Sequence, residues 1–332
     1  MAKSGTFQTK QTASVRIATE ATMGTAAVAG ATQCSIPVTD YSFDEMDKHS
    51  LSVAPTRVGL GAYSQSDDMV KFQRHDRMYD ISITFHATAQ SINKVCGNLF
   101  GDSDGTNTLI GSMPTVTDFT HDESNTVPVT LWFENAGHAG QDTDMIFASC
   151  MCTGLTFTGD ISSNGGVVMC TATFQTAYTP TQATLTFTGT ETTISAQQTM
   201  FNMHDFTKTE INSGSAEDLL LYSFELTIAR PVNRIGFDSA NSYRPMGYAL
   251  GGYEVTGSLT CKRDAESTSA LGTGSPVALD LDTGVYEIVA PSCMIDQASI
   301  SFDDDGWKQT IPFRCVYAGG TSSTIVSINT QA

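Results

Sequence analysis

Positive charge is scarce in this chain. Lys and Arg total 17 against 35 Asp and Glu, a formal net charge of -18 over 332 residues. Nucleic-acid binding draws most of its affinity from phosphates neutralised by a basic patch, so this balance argues against a protein that grips DNA or RNA. Long apolar runs are missing too, and nothing approaches the ~18 apolar residues of a membrane-spanning helix. The opening Met1-Ala2-Lys3-Ser4-Gly5-Thr6 lacks the apolar stretch of a signal peptide. The expectation is a soluble protein made in a cytoplasm, with no membrane partner.

Catalytic signatures are equally thin. The histidines are His49, His75, His86, His121, His138 and His204, and no two show HExxH or HxH spacing. No nucleophile elbow, phosphate loop or dinucleotide fingerprint is present. Gly59-Leu60-Gly61 and Gly251-Gly252 come nearest, yet neither leads into a helix that could hold a phosphate. The cysteines (Cys34, Cys96, Cys150, Cys152, Cys170, Cys261, Cys293 and Cys315) form no CxxC pair, and Cys150-Met151-Cys152 is too tight for zinc. Free buried thiols are expected, with no metal, no cofactor and no enzyme activity.

What is abundant points to strands. Hydrophobic residues make up 40% of the chain, enough to bury real cores, while charged residues make up only 16%. Thr, Ser and Gly fill the difference, the composition of short strands joined by tight turns. The length suits two domains.

Four anchors recur in the same order in both halves of the sequence. Tyr41-Ser42-Phe43-Asp44 recurs as Tyr222-Ser223-Phe224-Glu225, and Arg57-Val58-Gly59-Leu60 as Arg234-Ile235-Gly236-Phe237. Tyr79-Asp80-Ile81-Ser82 recurs as Tyr253-Glu254-Val255-Thr256. The fourth anchor begins with Pro128-Val129-Thr130-Leu131, which recurs as Pro276-Val277-Ala278-Leu279, and resumes at Ser149-Cys150-Met151, which recurs as Ser292-Cys293-Met294. Beyond these, Thr156, Phe157 and Thr158 align with Ser299, Ile300 and Ser301, and Val168, Cys170, Ala172 and Phe174 with Ile311, Phe313, Cys315 and Tyr317. Residues two apart share one face of a strand, so preserved parity implies the same buried face in both copies. The domains expected are 1–182 and 183–332.

Strands are expected at 15–17, 79–88, 127–133, 155–159, 167–175, 183–187, 222–229, 252–261, 285–290, 298–302, 310–316 and 323–328. Ser162-Ser163-Asn164-Gly165-Gly166 and Asp303-Asp304-Asp305-Gly306 read as hairpin turns through Asn-Gly and Asp-Gly. The acidic triplet lacks the alternate spacing and closing Glu of a calcium loop. Ile92, Val95, Cys96, Leu99 and Phe100 follow helical spacing, predicting a helix over 91–100 with Thr88 or Ser91 as its cap. In the second copy, Asp264-Ala265-Glu266-Ser267 leaves that helix shortened or gone. Long polar segments at 57–78 and 234–252 occupy the same place in both copies, and such loops usually carry a binding role. The fold class is mostly β: two tandem sandwich or barrel domains, a short helix in the first, and long inter-strand loops.

Two motifs carry a family likeness. Ala18-Thr19-Glu20-Ala21-Thr22-Met23-Gly24-Thr25-Ala26 resembles the Glu-x-Thr-Tyr-Gly-Thr-Ala opening of the major tail tube proteins of long-tailed, siphovirus-like bacteriophages, with Met23 in place of the aromatic. The Arg-Ile-Gly…Gly-Tyr-x-Val-x-Gly-x-Leu-Thr pattern from Arg234 to Thr260 is similar to that family's central strands. The resemblance implies a β-sandwich core with one short helix, a long loop and extended arms. It implies rings that stack into a tube whose inner sheet faces a channel for DNA, which passes without specific binding. Members with two fused domains form trimeric, pseudo-hexameric rings, and the duplication fits that group.

By the same resemblance the long loops and the N-terminal arm contact the neighbouring ring. The inter-ring candidates are Arg57, Asp67, Asp68, Lys71, Arg74, Arg77, Arg234 and Arg244. Tape measure, tail terminator and baseplate proteins are further partners that the resemblance implies. The rival reading is a tandem β-sandwich binding module, an adhesin or a virion decoration protein. A sugar site would want clustered aromatics and acids, whereas Trp132 and Trp307 lie on expected strands as core or interface residues.

Overall fold

The computed structural model describes residues 14–20, 22–27, 33–44, 49–52, 71–74, 78–88, 91–92, 95, 116–118, 128–134, 144–183, 191–193, 200–211, 219–236, 247–270, 276–284, 286–303, 306–316 and 325–330. In the first half the strands are β1 (Ser14–Thr19), β2 (Gln33–Pro37), β3 (Asp40–Phe43), β4 (His49–Ser52), β5 (Lys71–Arg74) and β6 (Tyr79–His86). They continue with β7 (Val116–Asp118), β8 (Val129–Phe133), β9 (Asp144–Asp160), β10 (Met169–Thr176) and β11 (Thr181–Ala183). The second half holds β12 (Glu191–Thr193), β13 (Lys208–Ile211), β14 (Leu221–Ala229), β15 (Val232–Ile235), β16 (Gly247–Leu250) and β17 (Glu254–Lys262). Helix α1 (Ala265–Ala270) follows, then β18 (Val277–Asp282), β19 (Tyr286–Ile295), β20 (Ser299–Asp303), β21 (Gly306–Cys315) and β22 (Ser327–Thr330).

One antiparallel sheet runs through both halves in the order β3-β6-β10-β9-β14-β17-β21-β20. Its alternation is visible in β6, where Tyr79, Ile81, Ile83 and Phe85 are buried while Asp80 between them is exposed. A second layer packs on that buried face. In the first half it runs β2-β1-β8-β9-β11, and in the second β13-β18-β19-β22. Aromatic rings bridge the layers: Phe43 lies 5.1 Å from Phe147, and Phe201 lies 5.2 Å from Tyr286. Among the described residues the main sheet does not close on itself.

Strand β9 is far longer than the expected 155–159. Its first nine residues read Asp-Met-Ile-Phe-Ala-Ser-Cys-Met-Cys and are nearly all buried. A strand covered on both faces loses alternation and reads as a continuous apolar run. At Ala148–Ser149 it carries a bulge, because Val129 and Leu131 of β8 face Cys150 and Phe147. The second half repeats this, with Val277 and Leu279 of β18 facing Cys293 and Ala290.

The helical expectations hold where they can be seen. Ser91, Ile92 and Val95 are helical, and the rest of 91–100 lies outside the described residues. Thr88 is the cap, since its Oγ1 accepts from the Ser91 N–H at 3.2 Å. The second half holds a short helix, α1, capped reciprocally: Ser267 N–H donates to Asp264 Oδ1, and Asp264 N–H to Ser267 Oγ. Asn164 and Gly165 take φ of 50° and 66°, as the first hairpin requires. In the second hairpin Asp303 pairs with Gly306, and Asp304 and Asp305 lie outside the described residues. Residues 184–187 of the strand expected at 183–187 lie outside the described residues.

Candidate assembly surface and polar sheet face

The face of the long sheet that points away from the core is lined by small polar side chains. Thr84, Thr171, Thr156, Thr227 and Thr256 stand in one row across five neighbouring strands. Their hydroxyls couple in pairs, Thr84 with Thr171 at 3.0 Å and Thr156 with Thr227 at 3.2 Å. The second of these pairs crosses from the first half into the second. Acids flank the row: Asp40, Asp80, Glu225 and Glu254 are exposed, with Arg314 3.6 Å from Glu254. Asp160 is held below the usual carboxylate range, mainly by hydrogen bonds from the Ser162 hydroxyl and N–H. A shallow hollow on this face, beside β3, is lined by Ser42, Asp44, Asp80, Thr153, Thr173 and Gln175. None of these is a nucleophile with an adjacent base, and the Gln175 amide simply donates to Asp80 at 2.8 Å. Such a face can present itself to a polyanion without gripping it.

The N-terminal motif has a structural reason. The bulge at Ser149 puts a non-glycine residue at φ 50° and leaves its N–H outside the ladder. Buried Glu20 takes that N–H on Oε1 at 2.6 Å and the Thr130 hydroxyl on the same oxygen at 2.7 Å, while Oε2 takes the Ser149 hydroxyl at 2.6 Å. Gly24 N–H donates to Ser149 Oγ, and Ala27 N–H to Thr130 Oγ1. Gly24 sits at φ 82°, and a Cβ there would stand 2.6 Å from the Tyr178 ring, so only glycine fits. Glu20 and residues 22–27 are thereby fixed onto β8 and β9. Sequence reasoning singled out the motif but missed Ser149 as its target; the repeated Ser-Cys-Met was the available signal.

Of the inter-ring candidates, Lys71 and Arg74 lie on β5, opposite Ser52 and His49 of β4. Arg234 is half-buried on β15, opposite Tyr248 of β16. Arg57, Asp67, Asp68, Arg77 and Arg244 lie outside the described residues. The segments expected as loops are therefore two-stranded ribbons at their bases in both halves, β4 with β5 and β15 with β16. Local cross-strand pairing satisfies backbone groups that a plain loop would leave to water. The second ribbon is anchored at its root. Buried Arg230 donates through Nε to the Gly251 carbonyl at 3.1 Å and through Nη1 to the Tyr253 hydroxyl at 2.8 Å, its guanidinium 4.6 Å from the Tyr253 ring. Tyr248 then reaches the first half, donating to the Ser149 carbonyl at 3.1 Å.

A profile of the phage tail tube protein family matches residues 10–315. The chain belongs to the phage tail tube protein family. No curated protein matches the chain. As a tail tube protein it is a structural component of the virion tail that self-assembles into a tube, not an enzyme. No helix among the described residues is long and apolar enough to cross a membrane. This tail tube protein keeps Cys150, Cys152, Cys170, Cys261, Cys293 and Cys315 as free, buried thiols. Burial pushes the Cys152 thiol up to about 12 and raises Cys150 and Cys170 as well, with Glu20's charge adding to the effect at Cys150.

Proposed function

We propose that the chain is a duplicated tail tube subunit of a long-tailed, siphovirus-like phage, with domains at 1–182 and 183–332, three copies of which close a pseudo-hexameric ring. The seam between β9 and β14 carries this reading. There Ser223 to Ala229 pair antiparallel with Asp160 to Gly154, joining four strands of each half into one sheet. The strand order β3-β6-β10-β9 is answered by β14-β17-β21-β20, and the same bulge recurs on β9 and β19. Among the described residues, β3 pairs only with β6 and β20 only with β21. Repeating the seam between chains would join β20 of one copy to β3 of the next, a head-to-tail contact that closes into a ring.

Size supports three copies. At the roughly 4.8 Å spacing of neighbouring strands, three eight-stranded sheets close a circle of about 18 Å backbone radius before strand tilt widens it. Two copies give only about 12 Å by the same spacing, too narrow for a duplex about 20 Å wide once side chains are added. The threonine row and its flanking acids then line a channel through which DNA passes during ejection without being bound.

The ribbons at β4–β5 and β15–β16 and the N-terminal arm are the proposed contacts between stacked rings, with Lys71, Arg74 and Arg77 set against Asp67 and Asp68 across rings. Tape measure, terminator and baseplate proteins would meet the ends of the tube. Light scattering and negative-stain microscopy test the ring: a mass of three chains and ring or tube images are expected, while stable monomers or six-chain rings would reject it. Reversing Asp67 and Asp68 to Lys should shorten tubes and leave rings intact; unchanged tube length would remove those acids from the contact.

A further inference from the structure

Two of the buried thiols face each other at a corner of the second half. Strand β19 runs in the second layer beside β18 and β22, and its last residues then cross to the main sheet and pair with β21. Among the described residues that crossing is short: Cys293, Met294 and Ile295 oppose Cys315, Arg314 and Phe313. The matching corner of the first half is one unbroken strand, β9, which pairs with β10 from Met151 to Thr158. The second corner has less ladder to hold its layers together.

Cys293 and Cys315 are direct register partners, with their sulfurs 3.4 Å apart. The backbone around them fixes the kind of site. Val316 N–H donates to the Ser292 carbonyl, and Asp296 N–H to the Pro312 carbonyl, both at 2.9 Å. Hydrogen-bonded and non-hydrogen-bonded pairs alternate along an antiparallel ladder. Ser292–Val316 and Asp296–Pro312 are of the first kind, so Cys293–Cys315 is of the second. Cα atoms at such a site stand about 4.5 Å apart, inside the range that a disulfide spans, and the sulfurs need only close to about 2.0 Å. Cys293 is fully buried while Cys315 is 6% exposed, so Cys315 is the sulfur that a small reagent reaches.

We infer that Cys293 and Cys315 form a redox pair, which a peroxide closes into a disulfide that staples β19 to β21. The Cys315 thiolate attacks one oxygen of hydrogen peroxide, the O–O bond breaks, and the other oxygen takes up a proton and leaves as water. Cys315 is then a sulfenic acid. The Cys293 thiolate displaces its hydroxyl, the S–S bond forms, and a second water carries off the remaining proton. Two thiols and one peroxide give one disulfide and two waters. The Cys293 sulfur and burial raise the Cys315 thiol, so closure is slow. Disulfides persist on virion surfaces and are kept reduced in a cytosol, which suits a staple set in the virion. The pair is independent of how many chains make a ring.

The test treats the full-length protein with dilute hydrogen peroxide, then unfolds, alkylates and digests it for peptide mass spectrometry without reduction. Peptides linked through Cys293 and Cys315 are expected, and a reducing agent should release them. The two positions are 22 apart in sequence, so closing the loop restrains the unfolded chain, and the oxidised protein should melt about 5 °C higher. Reduction should reverse that rise. Cys315→Ala and Cys293→Ala should show no rise under the same treatment, which separates the staple from oxidation of exposed methionines such as Met294. Both thiols still open to alkylation after prolonged treatment, Cys315 carried on to sulfinic acid, or either sulfur linked to another cysteine would each overturn the pair. A linked pair with an unmoved melting temperature would overturn the staple.

Discussion

Glu20 shows how one residue sets the course of a terminal segment. The residue is 5% exposed, and its carboxylate accepts from one N–H and two hydroxyls around the Ser149 bulge. Removing it leaves those donors buried without their acceptor, and hydrogen bonds to charged groups are the stronger kind. Glu20→Ala is therefore expected to lose about 2–4 kcal/mol in urea unfolding. Glu20→Gln should lose less, because its amide oxygen can still accept from Ser149 N–H while the Ser149 hydroxyl turns to accept from the amide. Equal losses from both variants would show that packing, not acceptance, is what Glu20 supplies.

At the scale of elements, the two helix caps are the most local device in either half. Thr88 with Ser91, and Asp264 with Ser267, each satisfy free N–H groups at a helix start. Thr88→Ala and Asp264→Ala should each cost about 1 kcal/mol, and the double variant should lose their sum because the sites share no partner. A clear departure from additivity in denaturant melts would mean the helices communicate. The long strand β9 supplies a second prediction. Cys150 and Cys152 on it, and Cys170 on β10, are buried and their thiols are pushed upward by that burial. Only thiolate reacts readily, so a disulfide reagent should leave these three untouched in native protein at neutral pH and modify them on unfolding. Rapid labelling of the native chain, located by peptide mass spectrometry, would contradict that burial.

At the scale of the molecule, the two halves share a sheet as well as a core. Buried residues from Val15 to Ile328 form one continuous hydrophobic cluster across the β9–β14 seam. Halves joined this way should unfold together, with the calorimetric enthalpy matching the van't Hoff value. Two separated melting transitions in the isolated subunit would mean that the seam is weak. Assembly binds only the folded chain, so it should raise the apparent melting temperature in a concentration-dependent way.

What the sequence determined by itself was local and periodic. Alternation in Ile81, Ile83 and Phe85, the Asn164-Gly165 turn and the repeated anchors specify strands, a hairpin and a doubled pattern, because side-chain parity is set by the backbone itself. The first half of β9 was not legible, since burial on both faces erases alternation. The role of Glu20 was equally hidden, because its partner lies 129 residues away. Only tertiary structure brought β9 beside β14, and so decided that both halves share one sheet, with β3 and β20 at its edges among the described residues. Which strand pairs with which depends on packing over long separations, and no local preference encodes it.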